Sequence, residues 1–246
     1  MEGGMKMEIW DVYDRDRHLT GRTVGRGEPL APGDYHLVVD AYFLNERGQM
    51  LIQRRAACKK LLPDIWAGTS GAVVQGEDSR TGVRREVEEE LGFTPDFEHG
   101  RLLLGVTDDP GQFHRDVYLF HQTVPIERMR LHAEEVAEVR WVYPEEIASN
   151  PDYRAGFGHL WEWPRIAPAI AAESARIRVP AGVYRHYKGG LYQVTDVAVH
   201  SETLEPMAVY RALYGTRELW VRPAAMWNEE VTVDGRTVRR FAPVTV

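Results

Sequence analysis

Cysteine is nearly missing from this 246-residue chain, where Cys58 stands alone. A single thiol excludes an internal disulfide and a cysteine-rich zinc site. Long apolar runs are also missing: nothing approaches the roughly 18 consecutive apolar residues that a bilayer-spanning helix needs. The opening stretch, MEGGMKMEIWDVYDRD, has no apolar h-region, so a secretory signal is not expected and the expected location is the cytoplasm. Internal repeats and low-complexity tracts are absent, and so is a strong basic balance. Net charge is −7, and residues 177–246 hold nine Lys and Arg against seven Asp and Glu, a surplus too small to argue for nucleic-acid binding. The acidity is concentrated in the first 176 residues, an asymmetry that suggests two units. What is present is a 43% hydrophobic content interspersed with charge, at a length suited to one large domain or two ordinary ones.

Residues 35–44 (YHLVVDAYFL) predict a strand, residues 45–48 a turn and residues 50–54 the return strand. A short strand is expected at 71–75 and a loop at 76–79. Ser79 or Asp78 then caps a helix running to about Leu91, with Gly92 as its stop. Further strands are predicted at 101–107, 117–124 and 138–142. Helices are predicted at 144–149 and roughly 158–176, the second bent or broken by Pro164 and Pro168. This alternation predicts an α/β or α+β domain over residues 1–176, with residues 1–34 as an N-terminal extension or hairpin. Past Arg176 the runs are short, β-rich and broken by Gly, Pro and Ser/Thr, which predicts a small mainly-β domain over 177–246.

The stretch GAVVQGEDSRTGVRREVEEELGF, residues 71–93, crowds glutamates onto one helix. Residues three and four apart share a face, so Glu86, Glu89 and Glu90 converge while Glu88 points elsewhere. Arg85 lies four before Glu89, within reach of its carboxylate. Val83, Val87 and Leu91 form the apolar stripe, so the acidic face borders the core. Carboxylates held together there raise one another's pKa values unless a cation sits among them. Oxygen donors without His or Cys favour Mg²⁺, or Mn²⁺, over Zn²⁺. The competing explanation is a solvated, salt-bridged helix face.

The same segment resembles the signature of the Nudix superfamily, G-x5-E-x7-R-E-U-x-E-E-x-G-U. It is matched by Gly71, Glu77, Arg85-Glu86-Val87, Glu89-Glu90 and Gly92-Phe93 without a gap. With each fixed residue type at roughly 7% of composition, seven chance matches have odds of about 10⁻⁸ per window. Ala72 departs from the many members that carry a second glycine there. The resemblance implies an α/β/α sandwich and Mg²⁺-dependent hydrolysis of a nucleoside diphosphate linked to another moiety. Glu86, Glu89 and Glu90 match the metal ligands, and Glu77 the loop glutamate of the metal shell. Arg85 matches the residue that orients a carboxylate, and Gly71 the glycine at the strand end. The general base lies in the signature helix in parts of the family and in a later loop in others, so Glu89 and Glu135, beside Glu134, are both candidates. Relatives commonly dimerise, which makes a homodimer an expectation.

Residues 8–70 are similar to the branch related to isopentenyl-diphosphate isomerases. Those enzymes carry a catalytic cysteine and a metal-binding histidine in a W…CGH pattern; Ser70 and Ala72 occupy the corresponding positions after Trp66. An isomerase is therefore one alternative function, and a Nudix-fold sensor that binds nucleotide without turnover is another. Arg54, Arg55, Lys59 and Lys60 are candidate phosphate contacts, with ordinary surface charge as the competing explanation. His36 is expected to be a packed strand histidine. The C-terminal unit, through YRHYKG at 184–189 and WVRP at 220–223, resembles a small bacterial domain family of uncharacterised function, DUF1653. Arg185, His186, His200, Glu202 and Arg222 are its candidate polar ligand residues.

Overall fold

The chain first doubles back in an antiparallel hairpin, β1 (Ile9–Tyr13) and β2 (Leu19–Gly25). Its turn is held by Asp14, whose Oδ1 accepts from the backbone N–H of Asp16 and His18, each at 2.9 Å. This is the structure of a computed model that describes residues 8–244; the expectations touching residues 1–7 and 245–246 lie outside the described residues.

Next comes β3 (His36–Leu44), whose Leu37, Val39, Ala41 and Phe43, two apart, put four apolar side chains on one face. It is followed by β4 (Met50–Arg55), β5 (Trp66–Ala67), β6 (Thr69–Ala72), α1 (Ser79–Leu91), β7 (Gly100–Asp108), β8 (Phe113–His121) and β9 (Val136–Val142). The strands form one seven-stranded mixed sheet in the order β5-β4-β3-β8-β7, with β6 added beside β3 and β9 beside β4. β3 and β8 run parallel; the other pairs are antiparallel.

Helix α1 begins and ends where local chemistry dictates. The Asp78 carboxylate accepts the Thr81 N–H at 2.7 Å, and Gly92 closes the helix at φ 72° while donating to the Glu88 carbonyl. Its Val83, Val87 and Leu91 are buried against the apolar face of β3, joined by Leu51, Phe120 and Val139. Three more helices follow: α2 (Pro144–Ser149), α3 (Pro151–Phe157) and α4 (Trp163–Arg178). The expected single helix over 158–176 is therefore corrected to α4, which keeps Pro164 in its first turn, where an N–H is not needed. The preceding α3 is capped by Asn150 and packs on β5, with Tyr153 edge-on to Trp66 at 5.3 Å.

Residues 46–49, 143–149 and 161–246 make up a second compact unit. Its core gathers Ala175 and Val179, at the end of α4, with Tyr184, Val194, Tyr210 and Trp227. Trp227 lies flat on Phe241, ring centres 4.0 Å apart. The strands are β10 (Gly182–His186), β11 (Leu191–Val199), β12 (Pro206–Ala212), β13 (Leu219–Pro223), β14 (Glu230–Val233), β15 (Arg236–Arg239) and β16 (Phe241–Pro243). Five of them form an antiparallel sheet in the order β13-β12-β11-β10-β16, and β14 and β15 pair as a separate hairpin. Asp234 and Gly235, both at positive φ, supply that hairpin's two-residue turn. At the β16 edge the Val244 N–H points inward, to the Val183 carbonyl at 2.8 Å. Successive residues alternate along a strand, so Pro243 faces outward with no N–H to offer.

Candidate functional site

The site is built from the end of β6, the loop after it and one face of α1. Gly71 stands where a side chain has no room: a Cβ there would fall 1.9 Å from the Glu86 Cδ. Glycine at this position lets Glu86 lie against the strand backbone. Arg85 joins the parts. Its Nε donates to Glu77 Oε1 at 3.0 Å, its Nη1 to Glu86 at 2.7 Å and to Glu89 at 3.2 Å, and its Nη2 to the Ala72 carbonyl at 2.8 Å. One planar guanidinium thus ties loop, strand and helix together. A cavity of about 360 Å³ opens beside it, lined by Glu77, Thr81, Arg84, Arg85, Glu88 and Glu89.

Glu90 is the buried carboxylate of the helix, and Glu86, four before it, is half-buried. Burial pushes Glu86 up to about 7; Arg85 opposes this, while Glu89 and Glu8 add to it. Glu90 is 4% exposed. Burial pushes it up to about 8, with Glu86 and Glu135 adding and its bond from Gln53 opposing. Glu89 is exposed, and Glu88 turns away to accept from the Thr94 hydroxyl at 2.6 Å. The convergence of Glu86, Glu89 and Glu90 expected from spacing is not the arrangement found: Glu90 faces Gln53, and Glu88 lines the cavity with Glu77 and Glu89. Glu77, Glu86 and Glu89 gather around Arg85, whereas Glu90 reaches toward β4.

Gln53 is the residue that sequence reasoning missed. Buried on β4, it donates from Nε2 to Glu90 Oε2 at 2.8 Å and accepts from the Thr69 hydroxyl at 3.1 Å. The available signal was a polar residue in an otherwise apolar strand, MLIQR. A buried amide there requires a polar partner.

Among the described residues, no three His, Cys, Asp or Glu side chains stand close enough to hold a metal ion in this arrangement, and Arg85 takes the centre of three carboxylates. The donor chemistry fits nevertheless. The set is all oxygen, Glu90 is buried, and neighbouring carboxylates push both Glu86 and Glu90 up, Glu89 the first and Glu86 the second, a conflict that a hard cation relieves.

Glu135 sits in the loop that reaches Glu90: its N–H donates to the His132 carbonyl at 2.8 Å, and the His132 N–H to the Glu90 carbonyl at 3.0 Å. Glu135 is ion-paired to Lys59, and its carbonyl accepts the Ala56 N–H at 2.8 Å. Lys59 is thus committed to a carboxylate. So is Arg54, which faces Asp64 at 3.4 Å and Glu138 at 3.5 Å. Lys60 is exposed. Cys58 is exposed too, its thiol directed to the Glu134 carbonyl at 3.4 Å, and Ser70 lies on β6 opposite Asp40. In the second unit, His200 accepts from the backbone N–H of Glu202 and Thr203, the bonding of a turn. His186 packs on Phe241 at 4.8 Å, with Arg222 over the same ring at 5.6 Å.

Comparison with known proteins follows the same division. A family model described as "NUDIX domain" matches residues 34–163, and one described as "Protein of unknown function (DUF1653)" matches residues 182–243. The chain is similar to an uncharacterized Nudix hydrolase of Listeria innocua, lin0387, with 40% identity over 142 residues, covering 57% of this chain and 83% of that one. It is 29% identical over 138 residues to an isopentenyl-diphosphate Delta-isomerase of Streptomyces avermitilis, covering 53% of this chain and 70% of the other. A crystal structure of a DUF1653 protein from Bordetella bronchiseptica is 39% identical, covering 26% of this chain and 85% of that chain at a TM-score of 0.25.

Proposed function

Because the chain belongs to the NUDIX domain family and so is a hydrolase of diphosphate bonds, we propose that it is a Mg²⁺-dependent pyrophosphohydrolase acting on a nucleoside diphosphate linked to another moiety. The observation that carries this reading is the clamp in which Arg85 draws Glu77, Glu86 and Glu89 together one helical turn from buried Glu90. Glu86, Glu89 and Glu90 would hold the cation, with Glu77 in support. A cation bound there supplies charge neutralisation on the diphosphate oxygens and lowers the pKa of a water.

The chain's own groups do the rest. Gly71 leaves room for Glu86, Gln53 orients Glu90, and Arg85 keeps the loop and helix carboxylates in register. Glu135 or Glu89 takes the proton from the water that attacks phosphorus, and the anhydride P–O bond breaks to give two phosphates. Lys59 holds Glu135 on the Glu90 side. In this reading residues 1–176 form the catalytic module and residues 177–246 a binding or specificity module, in the cytoplasm.

The test is product release from a panel of nucleoside diphosphate derivatives, with isopentenyl diphosphate included, first with Mg²⁺ and then with excess chelator. Turnover on a nucleotide member should vanish with chelator. It should also fall by about 10²–10⁴-fold in Glu89→Gln and Glu90→Gln, while circular dichroism stays unchanged. Tight binding without turnover would favour a sensor, isomerised isopentenyl diphosphate an isomerase, and undiminished rates would remove both glutamates from the site.

A further inference from the structure

We propose that β13 is a self-recognition edge, through which two copies of this chain join their C-terminal sheets antiparallel about Trp220. β13 sits at the end of the five-stranded sheet and, among the described residues, pairs only with β12, so its outer row of backbone donors and acceptors is open. Such edges are ordinarily guarded by charge, proline or a bulge. Here the strand closes on Arg222 and Pro223, a charge and a proline, but its first three residues, Leu219, Trp220 and Val221, are exposed at 54%, 53% and 59%. No charge interrupts them.

The register inside the sheet explains the exposed indole. Trp220 lies opposite Tyr210, and directly opposed residues share a face, so Trp220 points to the side on which Tyr210 is buried in the core. It is half-exposed because the sheet stops at this strand. One more strand would extend that core over it. Leu219 and Val221 occupy the other face, beside Arg211 and Val209.

The sequence selects this same strand as the occupant. In an antiparallel pairing centred on Trp220, Trp220 meets its own copy and Leu219 meets Val221. Glu218 then meets Arg222, twice by symmetry, so the strand complements itself in charge and in apolar content. Neither Glu218 nor Arg222 makes an ion pair within the described residues, although Arg222 already leans over the Phe241 ring. A two-fold contact of this kind is isologous and uses one strand from each copy. The inference stands apart from the proposed chemistry and is read without any substrate.

The experiment is sedimentation equilibrium of the full chain, with circular dichroism on every variant. The native chain should be dimeric at micromolar concentration. Val221→Lys, at an exposed position, should weaken the dimer by about a hundredfold while leaving the fold intact. Glu218→Arg should weaken it by about tenfold, and Glu218→Arg combined with Arg222→Glu should restore it. A monomeric native chain, or a dimer indifferent to Val221→Lys, would overturn the proposal. A folded charge-exchange variant that stays as weak as Glu218→Arg would overturn the register. If that variant does not fold, Val221→Lys carries the decision alone.

Discussion

His36 shows how a single side chain sets a pH limit on the fold. Its ring stacks on Trp10 at 4.3 Å and meets the edge of Phe113 at 6.2 Å. Burial pulls its pKa from 6.5 down to about 4, and Arg115 pulls in the same direction. Above pH 6.5 the ring is neutral in both folded and unfolded chains and adds no pH dependence. Between 6.5 and about 4 the unfolded chain takes a proton that the folded one refuses, so stability falls as pH falls. The loss approaches about 3 kcal/mol at pH 4. Urea unfolding of the native chain and of His36→Phe at pH 7.5 and 4.5 checks this: the acid loss should shrink by about 2–3 kcal/mol in the variant. An equal loss in both would assign the acid sensitivity to the carboxylates instead. A packed strand histidine is what the sequence leads one to expect at position 36, and His36 opens β3. Its stacking partner Trp10 comes from a different strand, and no local pattern names it.

At the scale of the element, α1 shows what sequence can reveal. Its start, stop and apolar stripe all follow from residues within one turn of each other, and each is found where spacing puts it. The stop is the most demanding position. Gly92 is held at φ 72°, and a Cβ there would lie 2.9 Å from the Arg130 carbonyl oxygen. Gly92→Ala is therefore expected to cost about 1–2 kcal/mol, visible as a melting temperature lower by several degrees. A variant melting with the native chain would mean that the Arg130 loop gives way freely. The rest of the site was hidden for a related reason. Gln53 finds Glu90 across 37 positions and Lys59 finds Glu135 across 76, separations over which one sequence carries no periodic signal. Helix α3 was missed because Asn150-Pro151 and the polar residues after it favour a turn as readily as a helix start.

At the scale of the whole molecule, the last helix does its packing in the second unit, where Ala175 and Val179 complete the core around Trp227. A fragment of residues 161–246 should therefore melt cooperatively, whereas one of residues 180–246, lacking both side chains, should show no sharp transition by far-ultraviolet circular dichroism. Equal melting of the two would mean that the strands alone suffice. Both end strands of the small sheet close on a proline, Pro223 on β13 and Pro243 on β16. At the β16 end the outward position is Pro243, which has no hydrogen to give an incoming strand. Pro243 thus takes one outward donor from the β16 edge while Phe241 keeps its own, so strand addition there should be weaker than at a complete edge.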